Sequence, residues 1–176
     1  MERAFFKYLP EHVSDVFFET GTHEGIASRA ASAAGYKKVI TVEIDPNMHS
    51  RAKELSENYN NIDFHLGSST DMMRKLLPSI GGSITFWLDA HTGDCPLYEE
   101  LDIISSLDRK DHTIMIDDMR IIGGAPVSEH LHGYGWGRGV YLHVLIDKIK
   151  SINPNYEISF IDGGIPNDIL LATIKK

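Results

Sequence analysis

Carboxylates recur in this chain where an apolar run stops and a turn begins: Glu19, Glu43, Asp89 and the pair Asp117-Asp118. Glu19 follows Val16-Phe17-Phe18 and opens Glu19-Thr20-Gly21-Thr22-His23-Glu24-Gly25, after which Ile26 to Ala34 continue as an alanine-rich helix. Gly21 and Gly25 permit a tight turn with close backbone approach, and a strand, glycine turn and helix in that order form a nucleoside-cofactor pocket. A dinucleotide site of this kind aims bare amides at a pyrophosphate. Here Glu19 and Glu24 flank the turn with negative charge, and Gly21-x-x-x-Gly25 lacks the three-glycine pattern that brings a diphosphate to the helix start. Such a turn suits a cation better than an anion.

The second acid, Glu43, lies in Val39-Ile40-Thr41-Val42-Glu43-Ile44-Asp45-Pro46, and an acid at the carboxyl end of the second strand accepts both ribose hydroxyls in charge-assisted hydrogen bonds. A ribose carried with a sulfonium and an ammonium describes S-adenosylmethionine, the expected cofactor. Glu19 to Gly25 and Val42-Glu-Ile-Asp45 resemble the first and second motifs of class I S-adenosylmethionine-dependent methyltransferases. Asp63-Phe-His-Leu-Gly-Ser-Ser69 is similar to their third motif and Phe86-Trp-Leu-Asp-Ala-His91 to their fourth. The resemblance covers nearly the whole chain and rests on the motifs occurring in order. It implies cofactor contacts from Glu19, Gly21, Thr22, His23, Gly25, Glu43, Ile44, Ser68, Ser69 and Asp89. A helix cap accounts equally well for Ser69. Met72, Met73, Leu76 and Leu77 read as core at helical spacing.

Methyl transfer requires in-line positioning and a deprotonated acceptor oxygen. Asp89 with Asp117 and Asp118 is similar to the metal-binding aspartates of magnesium-dependent sugar O-methyltransferases, in which Mg2+ orients a hydroxyl and acidifies it. Phe86 to His91 and Thr113-Ile-Met-Ile-Asp-Asp-Met-Arg120 also look like small methyltransferase-like proteins found with polysaccharide genes. On the other reading, Asp89 closes the cofactor pocket and Asp117-Asp118 cap the following turn. His91 stands two residues beyond Asp89, on the same side of an extended segment, and is the expected general base, with Asp89 as its catalytic companion. The competing account is a loop histidine bonded to backbone. His130 and His132 have no matching ligand set for zinc nearby.

Positioning these groups at one rim calls for alternating elements. Strands are expected near 16–20, 38–44, 62–66, 84–89 and 112–117, and helices near 25–34, 47–58, 70–77, 97–107 and 141–150, giving a mostly parallel sheet covered on both faces. Tyr156 to Ile161 and Ile169 to Ile174 form a closing pair, antiparallel at the last strand as the resemblance implies. The fold class is therefore α/β: a Rossmann-like, doubly wound, seven-stranded sheet. Residues 1–14 form an N-terminal helical segment. Residues 121–139 exceed ordinary loop length and, with Tyr134, Trp136 and Arg138, read as a lid over the acceptor, the alternative being a disordered surface loop.

With 176 residues and 42% hydrophobic content the chain makes one core and one domain, 1–176. A net charge of -8 without a lysine-arginine cluster disfavours nucleic acid. Cys95 alone allows no internal disulfide, and no long apolar segment marks a membrane span, so a cytoplasmic protein is expected. The expected activity is methylation of a hydroxyl on a sugar-like or phenolic small molecule. The chain carries no added acceptor domain, which leaves either a quite small acceptor or one bound between copies in a homo-oligomer. A non-catalytic cofactor-binding domain is the alternative, and a nicotinamide-dependent reductase is disfavoured by the acids at the turn.

Overall fold

The computed structural model describes residues 4–91, 95–127 and 139–174. The strands are β1 (Val16–Thr20), β2 (Val39–Glu43), β3 (Ile62–Leu66), β4 (Ile84–Leu88), β5 (Thr113–Ile116), β6 (Glu157–Ile161) and β7 (Ile169–Thr173). They form one sheet in the order β3-β2-β1-β4-β5-β7-β6. The first five run parallel, and β7 is antiparallel to both β5 and β6. This is the expected architecture, including the antiparallel last strand.

The helices are α1 (Ile26–Ala33), α2 (Pro46–Leu55), α3 (Ser69–Leu76), α4 (Leu97–Ser106) and α5 (Leu142–Ile152). Every residue of β1, β2 and β4 is buried, as in a parallel sheet covered on both sides. Alternation along each strand sorts the core into two layers: Phe18, Val42 and Leu88 pack with Met73, Ile104 and Ile149, while Phe17 and Trp87 pack with Leu9, Ala31 and Tyr36. Asp45 caps α2, its carboxylate accepting from the amides of Asn47 and Met48 at 2.7 and 3.2 Å, and Pro46 takes the first turn, where its missing N–H costs nothing.

The N-terminal segment is not one helix but two 3-10 turns, Ala4–Lys7 and Leu9–His12. Pro10 explains the break, since inside a continuous helix it lacks a donor and clashes with the preceding turn. Buried Leu9 still anchors the segment.

The register makes the carboxyl ends of three strands level. Thr20 lies opposite Leu88, and Leu88 opposite Ile116. The ladder then continues past the strands: the Asp89 amide donates to Thr20 O at 3.0 Å and the Asp117 amide to Leu88 O at 3.1 Å. Residues expected as the last of β4 and β5 thus stand at the rim with their backbone fixed.

Candidate active-site cleft

A cleft of about 1010 Å³ opens at this rim, lined by the loops that follow β1 to β5, by the start of α4 and by Gly164 between β6 and β7. It lies where ligands bind in open α/β sheets, at the point where the strand order reverses between β1 and β4.

The turn after β1 is drawn under β2, because the amides of Gly21 and Thr22 both donate to Val42 O, at 3.0 and 3.1 Å. Gly21 has φ +82°, and a Cβ there would lie 2.4 Å from the carbonyl oxygen of Asp89. Its close approach is therefore to the loop after β4, which the turn holds in place. Gly25 caps α1 in the left-handed region at φ +72°, and His23 takes φ +47° without being glycine.

Glu43 is held by a backbone donor on each carboxylate oxygen. Its Oε2 accepts from the His23 amide at 2.7 Å and its Oε1 from the Asp45 amide at 2.9 Å. An ionised carboxylate has about four acceptor positions, so two backbone donors orient it while leaving capacity for a ligand diol. Ile44, beside it, is 59% exposed, an apolar side chain left at the cleft edge.

Glu19 lies beneath the turn rather than on its surface. It is buried, Ser28 Oγ donates to its Oε2, and Thr41 Oγ1 donates to the same oxygen at 2.5 Å. Since Thr41 gives its only proton to Glu19, Thr22 Oγ1, 2.5 Å from Thr41 Oγ1, is the donor in that contact. Burial raises the Glu19 pKa to about 7 against the opposing pull of these hydroxyls. The expected negative flank at this position is thus partly protonated at neutral pH.

Of the serine pair, Ser68 is the cap of α3, accepting from the Asp71 amide at 3.3 Å and donating to its carboxylate at 2.7 Å. Ser69 is buried one residue on, also at the cleft. Met73 is core, as expected.

Past the ends of β4 and β5 the ligand atoms of Asp89, His91 and Asp118 lie within 4.8 Å of one another, as do those of Asp117, Asp118 and Asp168. The expected trio Asp89, Asp117 and Asp118 is therefore divided between two overlapping groups that share Asp118. Asp118 stands at φ +59°, opening the 3-10 turn Met119–Ile121. His91 is buried, with Nε2 3.1 Å from Asp117 O and 3.9 Å from Asp89 Oδ1, and Nδ1 3.8 Å from Cys95 Sγ. Burial lowers its pKa, so the ring is neutral; the Asp117 carbonyl accepts a proton from Nε2, which leaves Nδ1 facing the thiol. Burial pushes Cys95 up to about 11, so that thiol stays protonated.

Sequence reasoning missed Asp168 and the role of Arg120. Arg120 Nη2 lies 2.5 Å from Asp118 Oδ1 and Nη1 pairs with Asp168 Oδ2. Burial opposes its charge, but Asp118, Asp168 and Asp117 outweigh that and hold the guanidinium above its usual pKa. Arg120 ended a motif already read for its acids; Asp168 carried no signal, because only the insertion of β7 beside β5 brings it here. Asp89, Asp117 and Asp118 offer hard oxygen donors of the kind magnesium takes, and Arg120 is the positive charge such an ion would meet. Of the expected lid 121–139, residues 128–138, with Tyr134, Trp136, Arg138, His130 and His132, lie outside the described residues, while its first part is not lid-like, since Ile121, Ile122 and Ala125 are buried in the core.

No family model matches the chain and no curated protein matches it by sequence. Solved structures do match in shape. An O-methyltransferase from Bacillus cereus in complex with SAH aligns at TM-score 0.69 and 14% identity, over 97% of this chain and 79% of that one. The O-methyltransferase TomG from Streptomyces achromogenes, involved in tomaymycin synthesis and in complex with SAM, aligns at 0.67 and 15%, over 98% and 78%. The SAH-bound methyltransferase PaMTH1 of Podospora anserina aligns at 0.67 and 12%, over 98% and 76%. The chain has the Rossmann-like fold of class I S-adenosylmethionine-dependent methyltransferases. Among the described residues no helix is long and apolar enough to cross a membrane.

Proposed function

We propose that the cleft holds S-adenosylmethionine and directs its methyl group to a hydroxyl of a small sugar-like or phenolic acceptor in the cytoplasm. The observation that carries this reading is Glu43, a carboxylate fixed by two backbone amides at the carboxyl end of β2 with acceptor capacity left for a ribose. The cofactor bound to the solved neighbours supports it. Ile44 would cover the base, and Gly21, Thr22, His23 and Gly25 shape the turn beneath the ligand, with Ser68 and Ser69 at the base end and Glu19 and Asp89 at the sulfonium end. At about 1010 Å³ the cleft is at the upper end of ligand sites, which suits a cofactor and an acceptor side by side.

The acceptor hydroxyl would lie against Asp89 and Asp118. His91 is held neutral, but with Nε2 donating to the Asp117 carbonyl its lone pair is on Nδ1, toward Cys95, so it would take an acceptor's proton at Nε2 only in the other tautomer, with the Asp117 contact given up. Magnesium, where bound, would be held by Asp89, Asp117 and Asp118 and supply acidity to the acceptor hydroxyl. A second reading, a cofactor-binding domain without turnover, is favoured by the engagement of both His91 nitrogens.

Calorimetry with the demethylated cofactor tests the proposal. Glu43→Ala should weaken binding by about tenfold to a hundredfold, the worth of charge-assisted hydrogen bonds. Asp117→Asn should keep the affinity and abolish turnover on hydroxylated acceptors. Unchanged affinity in Glu43→Ala overturns the cofactor assignment.

A further inference from the structure

Arg120 is a cation built into an acid cluster and fastened at both ends. Beyond the guanidinium contacts with Asp118 and Asp168, its own amide donates to Asp168 Oδ1 at 3.0 Å, and the Met119 amide donates to Asp168 O at 2.8 Å. Asp168 is fully buried at the start of β7, so one end of the clamp is anchored in the core. The other end is Asp118, the member common to both groups of converging ligand atoms. A guanidinium keeps its charge at any working pH and grips carboxylates through a planar fork. A divalent ion at Asp89, Asp117 and Asp118 would have to take Asp118 from Nη2 or sit beside a fixed positive charge.

We propose that Arg120 is the built-in counter-cation of the acceptor rim: it competes with divalent metal for Asp118 and supplies at this rim the positive charge that a metal would otherwise bring. Arg120 also lines the cleft, so its charge faces the place where an acceptor oxygen would lose its proton. This deepens the methyl-transfer reading at the same site, and that role toward an acceptor rests on the reading.

The test is a titration of the full chain with Mn2+ alone, followed by calorimetry and water-proton relaxation, with no cofactor present. Arg120→Gln by itself would leave Asp168 buried and unpaired, which endangers folding. The decisive variant is therefore Arg120→Gln with Asp168→Asn, which neutralises both partners. It should bind Mn2+ at least tenfold more tightly, about 1.4 kcal/mol, than Asp168→Asn alone, which keeps Arg120, and adding Asp118→Asn should erase the gain. Mn2+ binding in the double variant equal to or weaker than in Asp168→Asn alone overturns the proposal, as does a gain that survives the loss of Asp118. Because the cofactor is left out, either result is independent of whether the cleft binds S-adenosylmethionine.

Discussion

Replacing Gly21 by alanine tests whether the turn after β1 holds the loop after β4. Two costs are distinct. The first is backbone strain at φ +82°, about 1–2 kcal/mol for a residue with a Cβ. The second is contact: the new Cβ would lie 2.4 Å from Asp89 O and 2.7 Å from its carbonyl carbon, both backbone atoms. Ordinary contact begins near 3.4 Å, so one of the two loops must retreat by about 1 Å, an overpacking that costs about 1–3 kcal/mol. The total is about 2–5 kcal/mol, which lowers the melting temperature by about 4–20 °C in a chain of this length. Gly124→Ala is the control, since it has φ +78° and nothing within 4 Å, leaving strain alone. Thermal unfolding by circular dichroism compares the two. Gly21→Ala should melt clearly below Gly124→Ala and also bind the demethylated cofactor more weakly. Equal melting temperatures would refute the contact argument.

Burial pushes both Glu19 and Glu100 up to about 7 from the 4.5 of an exposed glutamate, so the folded state holds these protons more tightly than the unfolded chain. Their contribution to stability is complete below 4.5 and is lost as pH rises through 7, about 3 kcal/mol for each fully buried group. His112, held at about 4 by burial, acts in the opposite sense as pH falls below 6.5, and burial lowers His12, His65 and His91 in the same direction. Comparison with Glu100→Gln isolates one of the two carboxyls: between pH 5 and pH 8 the urea midpoint of the variant should gain on that of the unmodified chain, and a difference that stays constant over that range contradicts the burial argument. Asp45→Ala removes the carboxylate that receives two amides at the start of α2 and should cost about 1 kcal/mol in the same assay, more than Asp63→Ala, which loses only an exposed ion pair with Lys38.

The strands were legible because burial on both faces writes continuous apolar runs such as Val16-Phe17-Phe18 and Phe86-Trp87-Leu88 into the sequence, and turn residues bound them. The second helix was expected from 47 and begins at Pro46. Helix capping was legible in kind but off by one at α3, where Ser68 rather than Ser69 is the cap; two adjacent serines offer the same chemistry to a sequence reader. The N-terminal segment was read as helical from its amphipathic pattern, and Pro10 divided it. Rim acids were visible because each follows a strand, yet their charge state was not. Glu19 lies deeper than its neighbours for reasons of packing that a linear pattern does not carry. The Arg120 clamp was hidden for another reason, since its partner stands 48 positions away and meets it only through strand insertion.

β7 is the last strand of the sheet in sequence but not in space, lying between β5 and β6. Until residues 169–173 slot into that gap, two edges stay open and each can recruit a strand from another molecule. The same insertion delivers Asp168 to Arg120. During synthesis on the ribosome, the half of the cleft built on β1 and β2 can therefore take shape early, while the half that carries Asp118 and Arg120 must wait for β7.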